Sequence, residues 1–240
     1  MGRLAIAVAL WLPAAALAAS PEQLAQLDAL WAQRGLPDVT QVLEKVHRDA
    51  LREAPGDFDL LWRAARERVW VADAAKDVRL KKAAGMEAWR FGEQAVAQRP
   101  ERVEGHYYMA SGMGAHAEAA GPMRALSLGI AQKFVEEMNK AAAIDAGFDR
   151  GGPLLALGRY NALVPWPVRN LREAETLLTQ VRERFPENLR ATHYLAELKL
   201  SQDDKQGAEA LFAQVRDAKG DYDPAEASRV KAWLVGSNSR

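Results

Sequence analysis

Apolar residues along this chain recur every three or four positions, which is the spacing of one face of an α-helix. A first such face contains Leu27 and Trp31 and ends near residues 35–37, which include glycine and proline. Asp38 then predicts the N-cap of a second helix, and Gln41 would complete a capping box with it. No convincing run of alternating apolar and polar residues indicates a β-strand. The pattern therefore predicts an all-α fold.

The apolar pattern also repeats at an offset of 34 residues, which is typical of the tetratricopeptide repeat (TPR), a helical hairpin. The clearest repeats are predicted over about residues 153–186 and 188–220, and a degenerate repeat runs from Trp62 to Pro100 with a long internal loop. We expect residues 19–240 to form one TPR-like domain of stacked antiparallel hairpins, an α-solenoid. The matching positions are Ala174 with Ala208, Leu178 with Phe212, and Val181 with Val215.

Four other features of the sequence predict details of individual helices and of one loop. Residues 104–119 predict a helix with several glycines, which would let a neighbouring helix approach its backbone closely. A long helix is expected to start at Pro122 and to continue past Met138. Trp166 lies between two prolines, which would hold it rigidly because proline fixes φ. A short last helix that contains Trp233 is expected to cap the open end of the stack.

Composition and the N-terminus indicate a helical, exported protein. Alanine, the best helix former, occurs 46 times, against 3 isoleucines and 4 threonines. Residues 1–18 predict a cleaved signal peptide, with Arg3, an apolar run over 4–12 and an Ala-x-Ala cleavage pattern that ends at Ala18. The run is shorter than the roughly 20 residues of a bilayer span, so we expect no transmembrane segment after cleavage.

The charge of the chain limits the class of partner it would bind, and its cysteine content limits the cellular compartment in which it would function. Lys plus Arg and Asp plus Glu both number 32, so no net field favours nucleic acid. The chain has no cysteine, which excludes disulfides and also the acylated cysteine of a bacterial lipoprotein. Together with the signal peptide, this predicts a periplasmic protein.

The sequence offers little catalytic or metal-binding chemistry. The four histidines have no metal-ligand spacing, and His106 and His116 would lie about 15 Å apart along a helix. The glycines near Met113 lack the context of a phosphate loop, and Ser111 lacks the surroundings of a catalytic serine. We expect no enzyme activity, no metal and no cofactor. The basic cluster of Arg63, Arg66 and Arg68 has the spacing of a solvated helix face.

Soft and aromatic side chains are concentrated around the glycine-rich helix. Methionines adapt their shape and aromatic rings supply area, a combination suited to an apolar ligand pocket, although such residues also commonly fill a core. Arg159 would provide a polar gate beside such a pocket. The candidate ligand-binding residues are Tyr107, Tyr108, Met109, Met113, Met123, Arg159, Tyr160 and Trp166.

Several segments resemble the T-component family of TRAP transporters over about residues 55–215. They are residues 103–108, the small-residue run to Gly121, residues 151–159 and the Pro-Trp-Pro insertion at 165–167, with Phe-Pro-Glu-Asn at 185–188. The resemblance implies a helical TPR-like envelope protein that works with a periplasmic solute-binding protein and passes an apolar small molecule through a cavity. The missing lipoprotein cysteine departs from many members of that family.

Two functions therefore stay open. The first is an exported, non-catalytic accessory of TRAP-type solute uptake, which predicts an apolar cavity near Tyr107, Met113 and Trp166. The alternative is a periplasmic TPR adaptor that binds a protein segment in envelope assembly. The adaptor predicts an open groove lined by polar and charged side chains from the first helix of each hairpin.

Overall fold

The computed structural model describes residues 18–237, and every element among them is helical. The predicted signal peptide lies outside the described residues, apart from Ala18. No described helix combines the length and the apolar content that crossing a membrane requires. The helices are α1 (Pro21–Ala32), α2 (Val39–Glu53), α3 (Phe58–Ala74), α4 (Val78–Gln98), α5 (Val103–Ala120), α6 (Pro122–Ser127), α7 (Ile130–Asp145), α8 (Phe148–Leu163), α9 (Leu171–Arg184), α10 (Leu189–Ser201), α11 (Lys205–Asp217) and α12 (Pro224–Ser237).

These helices stack as antiparallel hairpins, which confirms the predicted TPR-like solenoid. The pairs are α1 with α2, α3 with α4, α5 with α7, α8 with α9, and α10 with α11. Apolar residues between the pairs form successive core clusters, one around Met113 and Met138 and the next around Leu178 and Val181. Each hairpin thus buries its apolar face against its neighbours, as repeat architectures require.

Glycines bring α4 and α5 into close contact, as the sequence predicted for α5. A Cβ on Gly112 would lie 2.8 Å from the Ala88 Cβ, and one on Gly92 would lie 2.5 Å from the Met109 backbone nitrogen. Real side chains do not tolerate such distances. The small residues therefore set the separation of the two helices.

Three local predictions were wrong. The long helix expected from Pro122 is divided into α6 and α7, because Gly129 adopts a left-handed φ of 70°. The loop between α3 and α4 is short, since only residues 75–77 separate the two helices. Asp38 does precede α2, but it adopts a left-handed φ of 63° instead of the extended backbone of an ordinary N-cap, and its side chain makes no capping hydrogen bond.

The last helix does more than cap an open end. It packs on α10, where Trp233 stacks on Tyr194 with ring centroids 6.0 Å apart. Its start also reaches the other end of the chain, because a Cβ on Gly35 would lie 2.9 Å from the Ala225 Cβ. The stack therefore curls until its C-terminal helix contacts its first hairpin, and the first helices of the hairpins surround a central groove.

Candidate binding groove

The groove is a concave space of about 480 Å³ on the inner face of the stack. It is built mainly by the first helix of each hairpin, together with α12 and the segment that precedes it. Its lining includes Trp31 and Arg34 at the end of α1, Arg66 and Trp70 of α3, Tyr107 and Tyr108 of α5, Asp149 and Arg150 of α8, Arg190 of α10, and Tyr222 and Glu226 at the C-terminal side.

A ladder of alternating arginine and tryptophan side chains forms one wall of the groove with its middle part, Trp31, Arg34, Arg66 and Trp70. Arg66 lies between Trp62 and Trp31, with its guanidinium carbon 4.9 and 4.2 Å from the two ring centroids. Arg34 lies between Trp31 and Trp70, at 4.3 and 4.4 Å. We call this set, with Arg63 and Arg229 at its two ends, the Arg–Trp ladder. Stacking of this kind stabilises a guanidinium and an indole together, and more strongly where water is excluded.

The ladder corrects the expectation that Arg63, Arg66 and Arg68 form a solvated face. Their side chains are only 12%, 14% and 13% exposed. Arg63 and Arg66 both bind the Asp28 carboxylate of α1, at 2.8 and 3.1 Å. Stacking on tryptophan lets Arg63 and Arg66 bury their planar heads, and Arg68 is held by Glu44 and Glu67 instead. The charge pattern alone reveals neither arrangement.

Next to the ladder, the groove is held by ion pairs that converge on Arg190. Its guanidinium binds Asp73 of α3 at 2.8 Å and also the carboxylate of Glu226 in α12. Burial opposes the charge on Arg190, but the two carboxylates outweigh it and hold the guanidinium pKa well above its ordinary value. Arg190 therefore ties α3, α10 and α12 together across the groove.

The floor of the groove contains two tyrosines and a strained turn. Asp149 and Arg150 adopt left-handed φ values of 47° and 53°, which non-glycine residues rarely do. The Tyr107 hydroxyl donates to the Asp149 carboxylate at 3.0 Å, and the Asn188 side-chain amide donates to the Arg150 carbonyl at 2.8 Å. Burial and the nearby Asp149 charge raise the pKa of Tyr107 well above its ordinary value. Backbone strain held in this way is frequent at binding sites.

Several arginines keep buried N–H groups without a hydrogen-bond partner among the described residues. These are the Nε atoms of Arg34 and Arg66 and the Nη1 atom of Arg229. Burial lowers the pKa of Arg66, and it lowers that of Arg229 to about 10. A buried unpaired donor carries a free-energy cost, so the packing of these guanidinium groups against tryptophan rings leaves part of their hydrogen-bonding capacity unmet.

The structure does not bring the eight sequence-predicted site residues together. Tyr107 and Tyr108 line the groove. Met109 and Met113 are buried in a core cluster with Tyr160 packed against it. Arg159 forms an ion pair with Glu197 and stacks on Tyr194. Met123 and Trp166 are 70% and 85% exposed, at the ends of hairpins. The apolar cavity expected near Tyr107, Met113 and Trp166 is therefore not formed by these three residues.

Sequence reasoning missed the arginines and tryptophans that line the groove. The signal was present in α3, where Trp62, Arg66 and Trp70 recur at intervals of four and so share one helix face. Their partners on α1 and α12 are distant in sequence and gave no signal. Three of the histidines hydrogen-bond inside the fold: Nδ1 of His106 lies 2.6 Å from Glu137, Nδ1 of His47 lies 2.9 Å from Glu67, and Nδ1 of His116 lies 3.2 Å from the Lys82 carbonyl. No group of residues suited to a metal ion occurs within the described part.

Two family models match the chain. The model described as regulator of microtubule dynamics protein 1-3 matches residues 23–161, which is more than half of the chain. This chain belongs to the regulator of microtubule dynamics protein 1-3 family. The match covers nearly all of α1 to α8 and includes the groove residues of α1, α3, α5 and α8, whereas those of α10 and the C-terminal side lie outside it. A tetratricopeptide repeat model matches residues 169–234, where the sequence predicted one of its clearest repeats.

The fold is also similar to that of a solved structure. The crystal structure of a thermophilic TPR protein of Thermus thermophilus has a TM-score of 0.65 and 20% identity, and the match covers 89% of this chain and 98% of that one. No curated protein sequence matches significantly. The TPR model and the similarity to a solved TPR structure support the TPR-like part of the sequence interpretation. The T-component resemblance finds no support among these matches.

Proposed function

We propose that this protein is an exported, non-catalytic scaffold whose groove binds an acidic segment with an aromatic residue on a partner protein. The observation that carries the proposal is the lining of the groove by Arg34, Arg66, Arg150 and Arg190 beside Trp and Tyr rings. Arginine, tryptophan and tyrosine are the residue types that dominate binding energy at protein interfaces. A TPR-type fold with this lining is suited to holding a peptide.

The chain's own C-terminal segment supports the choice of partner chemistry. Residues 221–226 read Asp-Tyr-Asp-Pro-Ala-Glu and lie against the groove. Asp223 binds Arg34 at 2.5 Å, Tyr222 lies under the Arg150 guanidinium, and Glu226 binds Arg190. An acidic, aromatic segment therefore already fits these arginines. A partner's acidic segment would make the same charge-assisted contacts in place of this one.

The groove agrees better with an adaptor than with a carrier of an apolar molecule. Polar and charged side chains from the first helices of the hairpins line it, which is the geometry expected for an adaptor. The methionines expected to hold an apolar ligand are buried in the core instead. A periplasmic solute-binding protein is one specific partner within this proposal, and envelope assembly is another setting for it. Both rest on export, which cell fractionation would test by following the cleaved chain into the periplasm.

The binding proposal is tested with two synthetic peptides of equal length, one acidic and one with each acid replaced by lysine, both with a central tyrosine. Fluorescence anisotropy should show saturable binding of the acidic peptide alone, and binding should weaken in high salt. Arg150→Ala should reduce the affinity about tenfold, because a groove cation is lost. Arg90→Ala, on the exposed middle of α4, is the matched control and should change nothing. Equal binding of both peptides, or of neither, would contradict the proposal.

A further inference from the structure

The exposed apolar side chains of this protein are concentrated along one edge of the stack. Of the twelve large apolar side chains that are exposed among the described residues, seven lie in three consecutive connections within hairpins. We call these connections, residues 75–82, 121–129 and 163–172, the loop edge. Its exposed apolar members are Val78, Leu80, Met123, Leu128, Leu163, Trp166 and Val168.

Contacts between the helices confirm that the three connections share one edge. Lys81 at the start of α4 binds Glu118 at the end of α5, at 2.7 Å. Phe134 near the start of α7 packs on Tyr160 near the end of α8, with ring centroids 5.5 Å apart. Because neighbouring helices run antiparallel, these contacts place the turns α3–α4, α5–α7 and α8–α9 side by side.

The α6 segment projects from this edge. Gly121 and Gly129 flank it with left-handed φ values of 94° and 70°, and open space surrounds both glycines. Ala125 points into the core, at 3% exposure, while Met123 and Leu128 face outward at 70% and 61%. The segment thus anchors by one side chain and presents two apolar side chains outside the fold.

Basic side chains accompany the apolar ones. Arg79, Lys82, Arg124 and Arg172 are exposed on the loop edge, and none has an acidic partner among the residues that the structure describes. The edge carries one exposed acid, Asp77, whose carboxylate caps α4 by accepting from two backbone amides. The loop edge is therefore positively charged, although the whole chain is neutral.

We propose that the loop edge docks on the surface of an anionic phospholipid bilayer. Single exposed apolar residues are ordinary on a protein surface, but a row of them interleaved with unpaired cations is the pattern of an interfacial membrane contact. Each Lys or Arg gains attraction from anionic headgroups, while Trp166 and the leucines enter the interface. A bilayer accommodates side chains that protrude from separate turns, whereas a protein partner would need a matching pocket for each. This surface is separate from the groove and does not depend on its function.

The absence of cysteine makes the proposal easy to test with a single introduced thiol. In the full chain, Leu128→Cys carries an environment-sensitive fluorophore, and Ile144→Cys, exposed at the opposite edge, is the matched control. Vesicles of phosphatidylcholine with phosphatidylglycerol should shift the emission of the Leu128 label to shorter wavelength, and salt at about 0.5 M should reverse the shift. Vesicles of phosphatidylcholine alone should give a much smaller shift.

Charge and apolar variants then separate the contributions to binding. Arg79→Glu with Arg124→Glu should weaken binding to anionic vesicles by about tenfold in a sedimentation assay. Lys45→Glu with Arg90→Glu changes charge equally at exposed mid-helix positions and should leave binding unchanged. Trp166→Ser with Met123→Ser should also weaken it. Every variant retains the N-terminal apolar segment, so its contribution cancels.

Four results would overturn the proposal. They are the lack of any emission shift, an equal shift at both labelled positions, equal binding to neutral and anionic vesicles, and equal losses in the edge variants and their controls. Capture of a protein by the wild-type edge without any response to vesicles would assign the surface to a protein partner instead.

Discussion

Two contacts around the groove depend on different interactions: the contact between the last two hairpins, and the contact between α12 and the first hairpins. Hairpins α8–α9 and α10–α11 meet through an apolar cluster in which Leu178 and Val181 are fully buried and Leu195 nearly so. The contact between the first hairpins and α12 depends instead on the Arg–Trp ladder and on ion pairs through Arg34 and Arg190. The first region follows the rule of repeat proteins, and the second closes the stack by charge and stacking.

This difference has consequences for stability. Apolar side chains carry no charge that salt can screen or that pH can change, whereas partly exposed ion pairs weaken as salt screens them. We therefore expect closure of the groove to respond to solution conditions that leave the C-terminal hairpins intact. A groove that binds partners would be adjustable in this way without unfolding the scaffold.

The largest expected effect is in the apolar region. Leu178→Ala removes a side chain that is fully buried between α8 and α9. The lost burial and the resulting cavity should lower the free energy of unfolding by about 3 kcal/mol, independently of salt. Urea denaturation followed by circular dichroism at two salt concentrations measures this. A loss that changes with salt would mean that charged groups also stabilise this region.

The next largest effect should arise where α12 contacts the first hairpins and closes the stack, a contact we call the closure. Arg190→Met removes the cation that Asp73 and Glu226 share and leaves Asp73 only its longer contact with Arg229, at 3.9 Å, which should cost about 2 kcal/mol at low salt. High salt should reduce the loss, because the two carboxylates then repel each other less. Arg216→Met is the control, since Arg216 is 58% exposed and has only long ion-pair contacts. If both variants lose the same stability, the closure does not depend on Arg190.

The sequence predicts the apolar region well because its signal is local. Ala174, Leu178 and Val181 recur one repeat later at the same spacing, so helix type, hairpin pairing and burial follow from periodicity. The closure gives no such signal, since Arg34 and Asp223 are 189 residues apart. Periodicity also cannot distinguish a solvated arginine from one stacked between tryptophans, which is why the basic cluster on α3 was misinterpreted.

The ladder itself offers a more selective test. Trp70→Leu keeps an apolar side chain but removes the ring face under Arg34 and Arg229. We expect a loss of about 1.5 kcal/mol from two stacking contacts and part of the buried area. Hydrogen exchange should report faster opening of α12 than of α9, because the ladder joins α12 to the first hairpins. Equal acceleration in both helices would mean that the molecule opens as one cooperative unit.

The smallest effect concerns Glu137, a buried carboxylate in hairpin α5–α7. This hairpin combines features of the apolar region and of the ion-paired region. Burial opposes ionisation of Glu137, but Lys140 and His106 outweigh it and hold the carboxyl pKa below its ordinary value. A lowered folded pKa stabilises the protein above the ordinary glutamate value of about 4.3, and this contribution disappears as pH falls through the folded pKa. Glu137→Gln should therefore cost about 1 kcal/mol near neutral pH, and the gap to the wild type should close as the pH falls below about 4.3. Thermal melts across this range measure the gap. A gap that stays constant would place the contribution of Glu137 in packing, and hairpin α5–α7 would then belong with the apolar region.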